Sequence, residues 1–267
     1  MDLIFSSDST LLESPVWDDI NKLIYCVSIE QNIIYQINSV SGKVNSFLTD
    51  GNVGCVVLNQ DNTLFSAEKS GIYKINPETN CREYIIHPEQ STNVRYNDGK
   101  LDPIGRFIFG TKASKTGEAK LFSYYNNNIK ILLTNLTISN GIGFSFNGKK
   151  MYFIDTPTKK VAQYSYDIDT GDIIFDRYVI KIDGPGWPDG MCVDSDDNLW
   201  IAEWEGGRVR KWNVKTGKVL DEIKLPHTRV TSCCLGGKNM DELFITTGKS
   251  EDNIFGGNLY KKKLKEK

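Results

Sequence analysis

The sequence predicts an all-β chain, a six-bladed β-propeller with four antiparallel strands per blade, and three observations carry that prediction. A short run of β-type residues recurs six times at a period in the forties. Each run follows a turn rich in Asp, Asn or Gly. No segment sustains the 3.6-residue periodicity of an amphipathic helix.

The runs are Ile24-Tyr25-Cys26-Val27, Leu64-Phe65-Ser66-Ala67, Phe107-Ile108-Phe109-Gly110, Met151-Tyr152-Phe153-Ile154, Leu199-Trp200-Ile201-Ala202 and Leu243-Phe244-Ile245-Thr246. Their first residues are spaced by 40, 43, 44, 48 and 44. The preceding turns, such as Asn147-Gly148 and Asp196-Asp197-Asn198, are hairpin chemistry, so each run reads as the second strand of a hairpin. Alternating segments follow as third strands, among them Ile33 to Ile37, Gly71 to Ile75, Val161 to Tyr166 and Val209 to Trp212. A further turn, for example Lys215-Thr216-Gly217-Lys218, leads to a fourth strand such as Val219 to Ile223. The last repeat ends at Leu259-Tyr260 without a fourth strand. The N-terminal Leu3-Ile4-Phe5-Ser6 is expected to supply it, closing a single domain over residues 1–267 and leaving no long open edge.

Composition is that of a globular protein, with 39% hydrophobic and 25% charged residues. The 32 Lys plus Arg nearly balance the 34 Asp plus Glu, so no long-range field would gather nucleic acid or anionic lipid. The first residues lack a basic, apolar leader, and no segment is apolar enough to span a bilayer, so a cytoplasmic protein is expected. The six cysteines show no CxxC spacing and read as small buried thiols. Lys261 to Lys267 reads as a solvated, charged end. Both histidines, His87 and His227, stand beside prolines and read as exposed loop residues, which gives a zinc site or a Ser-His-Asp triad no support. No GxxxxGK[ST] phosphate loop is present. Trp17, Trp200 and Trp212 read as core, and Trp187 as a wall of the pocket.

The first strand of each propeller blade lines the axis, so equivalent residues on these strands converge. Ten or eleven residues before each run stand Glu13, Val53/Gly54, Asn97, Asn140, Asp189 and Ser232. Glu13, Asn140 and Asp189 offer two carboxylates and an amide oxygen, with Asn97 as a further oxygen, a set suited to a hard divalent cation. Read singly, Asn140-Gly141 and Asp189-Gly190 are turn dipeptides; the shared offset in separate blades is what makes them a site. A second ring, Ser28, Glu68, Thr111, Asp155, Glu203 and Thr247, reads either as partners orienting these ligands or as polar strand ends.

The ring segments carry a resemblance. Glu13-Ser14-Pro15-Val16-Trp17, Arg95-Tyr96-Asn97-Asp98-Gly99-Lys100 with Asp102-Pro103, Ser139-Asn140-Gly141, Pro188-Asp189-Gly190-Met191-Cys192 and Thr231-Ser232-Cys233-Cys234 resemble the regucalcin (senescence marker protein) and gluconolactonase family, nearly end to end. The resemblance implies a six-bladed propeller with one divalent cation (Ca²⁺, Zn²⁺, Mg²⁺ or Mn²⁺) held by Glu13, Asn140 and Asp189. It also implies a substrate-binding Arg95, an Asn97 that is a ligand or substrate contact, and Asp189 as general base. The implied reaction is hydrolysis of a small sugar lactone by a monomer or weak dimer. Two rivals are a non-catalytic calcium-binding or scaffold propeller and a metal-dependent esterase or phosphotriesterase. Ser28 stands where the family commonly has aspartate, and Lys112 to Lys120 is shorter than the corresponding loops of relatives; both bear on the choice of substrate.

Overall fold

Alternation of apolar and polar residues builds strands, and the turn dipeptides between them fold those strands into meanders. The computed structural model describes residues 1–250 and 256–264. Strand β1 (Asp2–Ser6) precedes blade 1, which comprises β2 (Leu12–Asp18), β3 (Leu23–Ser28), β4 (Ile33–Asn38) and β5 (Val44–Leu48). Blade 2 holds β6 (Val53–Leu58), β7 (Leu64–Glu68), β8 (Gly71–Asn76) and β9 (Cys81–Ile86). Blade 3 holds β10 (Val94–Leu101), β11 (Phe107–Ala113), β12 (Ala119–Tyr125) and β13 (Asn128–Leu136). Blade 4 holds β14 (Ser139–Phe144), β15 (Lys150–Asp155), β16 (Lys160–Tyr166) and β17 (Ile173–Lys181). Blade 5 holds β18 (Trp187–Val193), β19 (Leu199–Trp204), β20 (Arg208–Asn213) and β21 (Lys218–Lys224). Blade 6 holds β22 (Val230–Gly236), β23 (Glu242–Thr247) and β24 (Asn258–Lys263). Among the described residues, helix is confined to one 3₁₀ turn, Thr156–Thr158, and none is long and apolar enough to cross a membrane.

The fourth strand of blade 6 is β1, paired antiparallel with β24 through Leu3↔Tyr260 and Ser6↔Asn258. Phe5 reaches across to blade 1, its ring 4.9 Å from that of Tyr35. Chain start and chain end are thus fastened in one sheet, and the edge of β24 is covered. Deleting residues 1–7 uncovers that edge and removes the apolar contacts of Ile4 and Phe5. The expected loss is roughly 3 kcal/mol, with aggregation on heating. Thermal unfolding checks this: a truncated chain that melts with the full one would mean that the ring does not depend on β1.

The apolar cores lie between blades. Tyr152, Ile154 and Val161 of blade 4 pack with Met191, Leu199, Ile201 and Trp212 of blade 5, and each neighbouring pair of blades shares such a cluster. The innermost strands β2, β6, β10, β14, β18 and β22 each pack against the innermost strands of both neighbours, which closes the ring.

The structure corrects several local expectations. His227 is buried, its Nε2 against Tyr260 Oη and 3.0 Å from Asn258 Nδ2, because the loop between β21 and β22 tucks it against β24. Burial holds its pKa below the ordinary histidine value. His87 is half-buried, its ring 6.1 Å from that of Tyr96. Cys81 is exposed, unlike the other five cysteines, because it starts the outermost strand of its blade. Trp200 and Trp212 are core, whereas Trp17 is half-buried and stacked on Phe244 at 5.3 Å. Lys261 to Lys263 belong to β24 rather than to a free end, and residues 265–267 lie outside the described residues.

Candidate active site

A regular strand cannot aim consecutive side chains at the axis, since its residues alternate between faces. Every innermost strand solves this with a β-bulge, seen as a register shift between Glu13/Val16, Val53/Cys55, Tyr96/Gly99, Asn140/Ile142, Pro188/Met191 and Val230/Ser232. All six residues read from the sequence as a ring lie at or beside these shifts, which turn the side chains of Glu13, Asn97, Asn140 and Asp189 toward the channel. Ser14 has a positive φ of 51° in its bulge, and its hydroxyl is tied to Val56 of the next blade (3.1 Å to the carbonyl). The approach between innermost strands is so close that a Cβ on Gly190 would stand 2.0 Å from Ser232 Oγ.

Glu13, Asn97, Asn140, Asp189 and Arg95 all line one cavity of about 340 Å³ at the axis. Asn97 Nδ2 donates to Asn140 Oδ1 (2.9 Å) and to the Ser139 carbonyl (2.8 Å), while its Oδ1 accepts from Arg95 Nη1 (2.7 Å). Asn140 Nδ2 donates to Thr156 Oγ1 (2.9 Å), whose own hydroxyl donates to the Pro188 carbonyl (2.9 Å). This chain fixes the amide of Asn140: Thr156 has spent its proton and must accept, so the Asn140 oxygen turns toward Asn97 and the cavity. Asn97, by contrast, spends its oxygen on Arg95 and presents N–H groups. It is built as a donor to the Asn140 oxygen and positions that residue.

Burial pushes the carboxyl pKa values of both Glu13 and Asp189 well up. The charge of Asp189 adds to the effect on Glu13, and Asp98 raises both; Arg95 opposes it at both, and Lys112 at Asp189. Asp98 is itself pushed up to about 6 by burial, with Lys100 and the Gly99 N–H pulling the other way. Among the described residues no basic side chain forms an ion pair with Glu13 or Asp189. Glu13 accepts the Ser14 N–H (2.8 Å), but two buried like charges without a basic partner are unfavourable unless a cation joins them. Together with the Asn140 oxygen they form a set of hard donors that fits a divalent cation. The set includes an amide, and among the described residues no group of three His, Cys, Asp or Glu side chains gathers to hold a metal.

The cavity walls divide by chemistry. Leu11, Ile29, Ile138, Pro157, Trp187 and Trp204 form an apolar collar, with Trp187 39% exposed at the mouth as the sequence suggests. Lys159 covers its ring, the ammonium 4.3 Å from the centroid. The second ring does not reach the cavity. Glu68 pairs with Arg82, Glu203 with Arg208 and Arg210, Asp155 accepts the N–H groups of Thr137 and Ile138, and Ser28 Oγ lies 2.7 Å from Ser9 Oγ. These side chains anchor neighbouring strands and loops, which selects the strand-end reading.

Two polar cavity residues, Thr156 and Lys112, and one carboxylate near them, Asp98, escape the sequence reading. Thr156, on the 3₁₀ turn, orients Asn140 through a contact 16 residues away. Asp98 follows Asn97 directly, and only the bulge brings both toward the axis. Lys112 stands directly opposite Arg95 in the β10–β11 register and lines the same cavity. The β-type run that opens β11 leads to Lys112, but only register reveals its partner.

Comparison with known proteins bears on the whole chain. Residues 11–249 match the model of the SMP-30/Gluconolactonase/LRE-like region. Human regucalcin is 34% identical over 244 residues, covering 88% of this chain and 82% of its own. A solved luciferin-regenerating enzyme superposes with a TM-score of 0.90 at 27% identity, over 97% of this chain and 92% of that one. A calcium-binding protein, regucalcin, from Agrobacterium tumefaciens gives the same TM-score at 20% identity, over 98% and 94%, a likeness of fold. With the match running through all six blades, the chain belongs to the SMP-30/gluconolactonase/LRE-like family.

Proposed function

We propose that the chain is a divalent-metal-dependent lactonase that opens a small sugar-type lactone in the axial cavity. The observation that carries this reading is the meeting of Glu13 and Asp189, buried and without a basic partner among the described residues, with an amide oxygen held in a fixed direction. Membership of a family that includes gluconolactonases supports the reaction class.

A divalent cation held by Glu13, Asn140 and Asp189 supplies Lewis acidity, polarising a carbonyl and acidifying water. The residues of the chain do the rest. Asp189, buried in the cavity wall beside the proposed cation, receives the proton of the attacking water. Arg95 donates to the sugar's oxygens and fixes the ring, while Asn97, whose oxygen and both N–H groups are engaged, holds Arg95 and Asn140 in place beside it. The apolar collar with Trp187 and Trp204 packs on the sugar face and excludes bulk water. The six cysteines, none paired in a disulfide, suit the reducing cytoplasm in which we place this activity.

The test is acid release from a panel of aldonolactones by chelator-treated protein, with Ca²⁺, Zn²⁺, Mg²⁺ or Mn²⁺ restored singly. Hydrolysis is expected to rise at least about a hundredfold with the preferred ion. If none of the ions restores hydrolysis of any lactone, the reading fails; hydrolysis of aryl esters or phosphotriesters alone would move the activity to a different acyl or phosphoryl substrate.

A further inference from the structure

Arg95 and Lys112 face each other as direct cross-strand partners in β10 and β11. Both line the axial cavity. Directly opposed residues of an antiparallel pair have Cβ atoms about 5 Å apart, and like charges there repel. A sheet relieves such a pair with a protein anion between the two side chains, or leaves the place for an anionic ligand.

The neighbouring charges are already engaged or turned elsewhere. Asp98 lies under the attraction of Lys100, and Lys159 is spread over Trp187 with its ammonium 3.1 Å from the Gly184 carbonyl. Glu30, at the rim, accepts the Thr10 hydroxyl. Glu13 and Asp189 belong to the proposed cation, whose two charges they would cancel. Arg95 uses one nitrogen, Nη1, for Asn97 and the Tyr96 carbonyl (2.8 Å); among the described residues nothing accepts from its Nε or Nη2. The Lys112 ammonium likewise meets no carboxylate within ion-pair distance among the described residues; desolvation and then Arg95 lower its pKa, against the weaker pull of Asp189, Glu13 and Glu30. The guanidinium edge and the ammonium therefore converge on open space beside the donor set.

We propose that Lys112, with the free edge of Arg95, selects a substrate that carries an anionic group, a phosphate monoester or a carboxylate, on the sugar away from the lactone carbonyl. Lys112 is then a specificity-determining residue. A charge-assisted hydrogen bond from each cation fixes the distal end of the sugar, while the apolar collar receives its ring. This rests on the lactonase reading for the reaction, but the anion preference itself is a property of binding.

The full chain, with calcium present, is titrated calorimetrically with three matched probes: methyl glucoside, methyl glucoside 6-phosphate and methyl glucuronide. At least one anion is expected to bind about tenfold or more tightly than the neutral glycoside, since a hydrogen bond to a charged group is worth about that factor. Which anion does so identifies the group recognised. In Lys112→Gln that preference should fall by about tenfold, and in Lys112→Arg it should persist. Equal binding of all three probes by the native chain, or an undiminished preference in Lys112→Gln, overturns the inference. An anion preference that depends on Lys112 in a protein that opens no lactone would sustain the inference and sink the reaction; lactone hydrolysis without anion preference would do the reverse.

Discussion

Asp189→Ala is expected to lower lactone turnover at least about a thousandfold while leaving the ion-free protein as stable as the native chain, or more so. The loss in rate follows from removing the proposed proton acceptor and one of two charged ligands together. The gain in stability follows from the same burial that makes the residue useful: Asp189 raises the pKa of Glu13, so its removal relieves repulsion between buried carboxylates. Most substitutions at buried positions destabilise, and the opposite sign here would mark a site organised around an absent positive charge. The paired measurement is thermal unfolding with and without added cation. For the native chain, an ion at about a hundredfold excess over its Kd adds about 2.7 kcal/mol. For the Asp189→Ala chain that increment should vanish. Undiminished, ion-dependent hydrolysis by this variant would end the assignment of Asp189.

Gly54→Ala is expected to weaken the packing between blades 2 and 3. A Cβ at Gly54 would stand 2.4 Å from the carbonyl carbon and oxygen of Tyr96 and 2.6 Å from the amide nitrogen of Asn97. These are backbone atoms of the neighbouring blade's innermost strand, so no side-chain rotation relieves the clash, and β6 and β10 must separate. Overpacking of this kind destabilises by about 3 kcal/mol, or roughly 6–12 °C in Tm for a domain of this size. Because Asn97 is the residue displaced, its hold on Arg95 and Asn140 should loosen too, and the folded fraction should lose activity. Gly42→Ala serves as the control. Nothing lies within 4 Å of that position, and only its φ of 70° is strained, a penalty of about 1 kcal/mol. Equal melting temperatures for the two variants would show that blade packing tolerates a methyl group where the structure leaves no room.

Gly54 also explains why the ring has gaps. The axis is too narrow for a side chain from every blade, and blade 2 contributes bare backbone where blades 1, 3, 4 and 5 contribute Glu13, Asn97, Asn140 and Asp189.

Blade number, strand order, the closure by β1 and the meeting of Glu13, Asn97, Asn140 and Asp189 were legible in the amino-acid sequence. All of them follow from alternation and from a repeat that places equivalent residues at equivalent depths, and both are local patterns along the chain. Tertiary structure alone decided which way the donors turn: the bulges that aim them, the Thr156 hydroxyl that fixes the Asn140 oxygen, and the Arg95 bond that makes Asn97 a donor. It also decided that Lys112 faces Arg95 and that His227 lies buried under β24. These depend on register between strands and on the packing of loops, where a shift of one residue exchanges one face for the other and no periodic pattern records the partner.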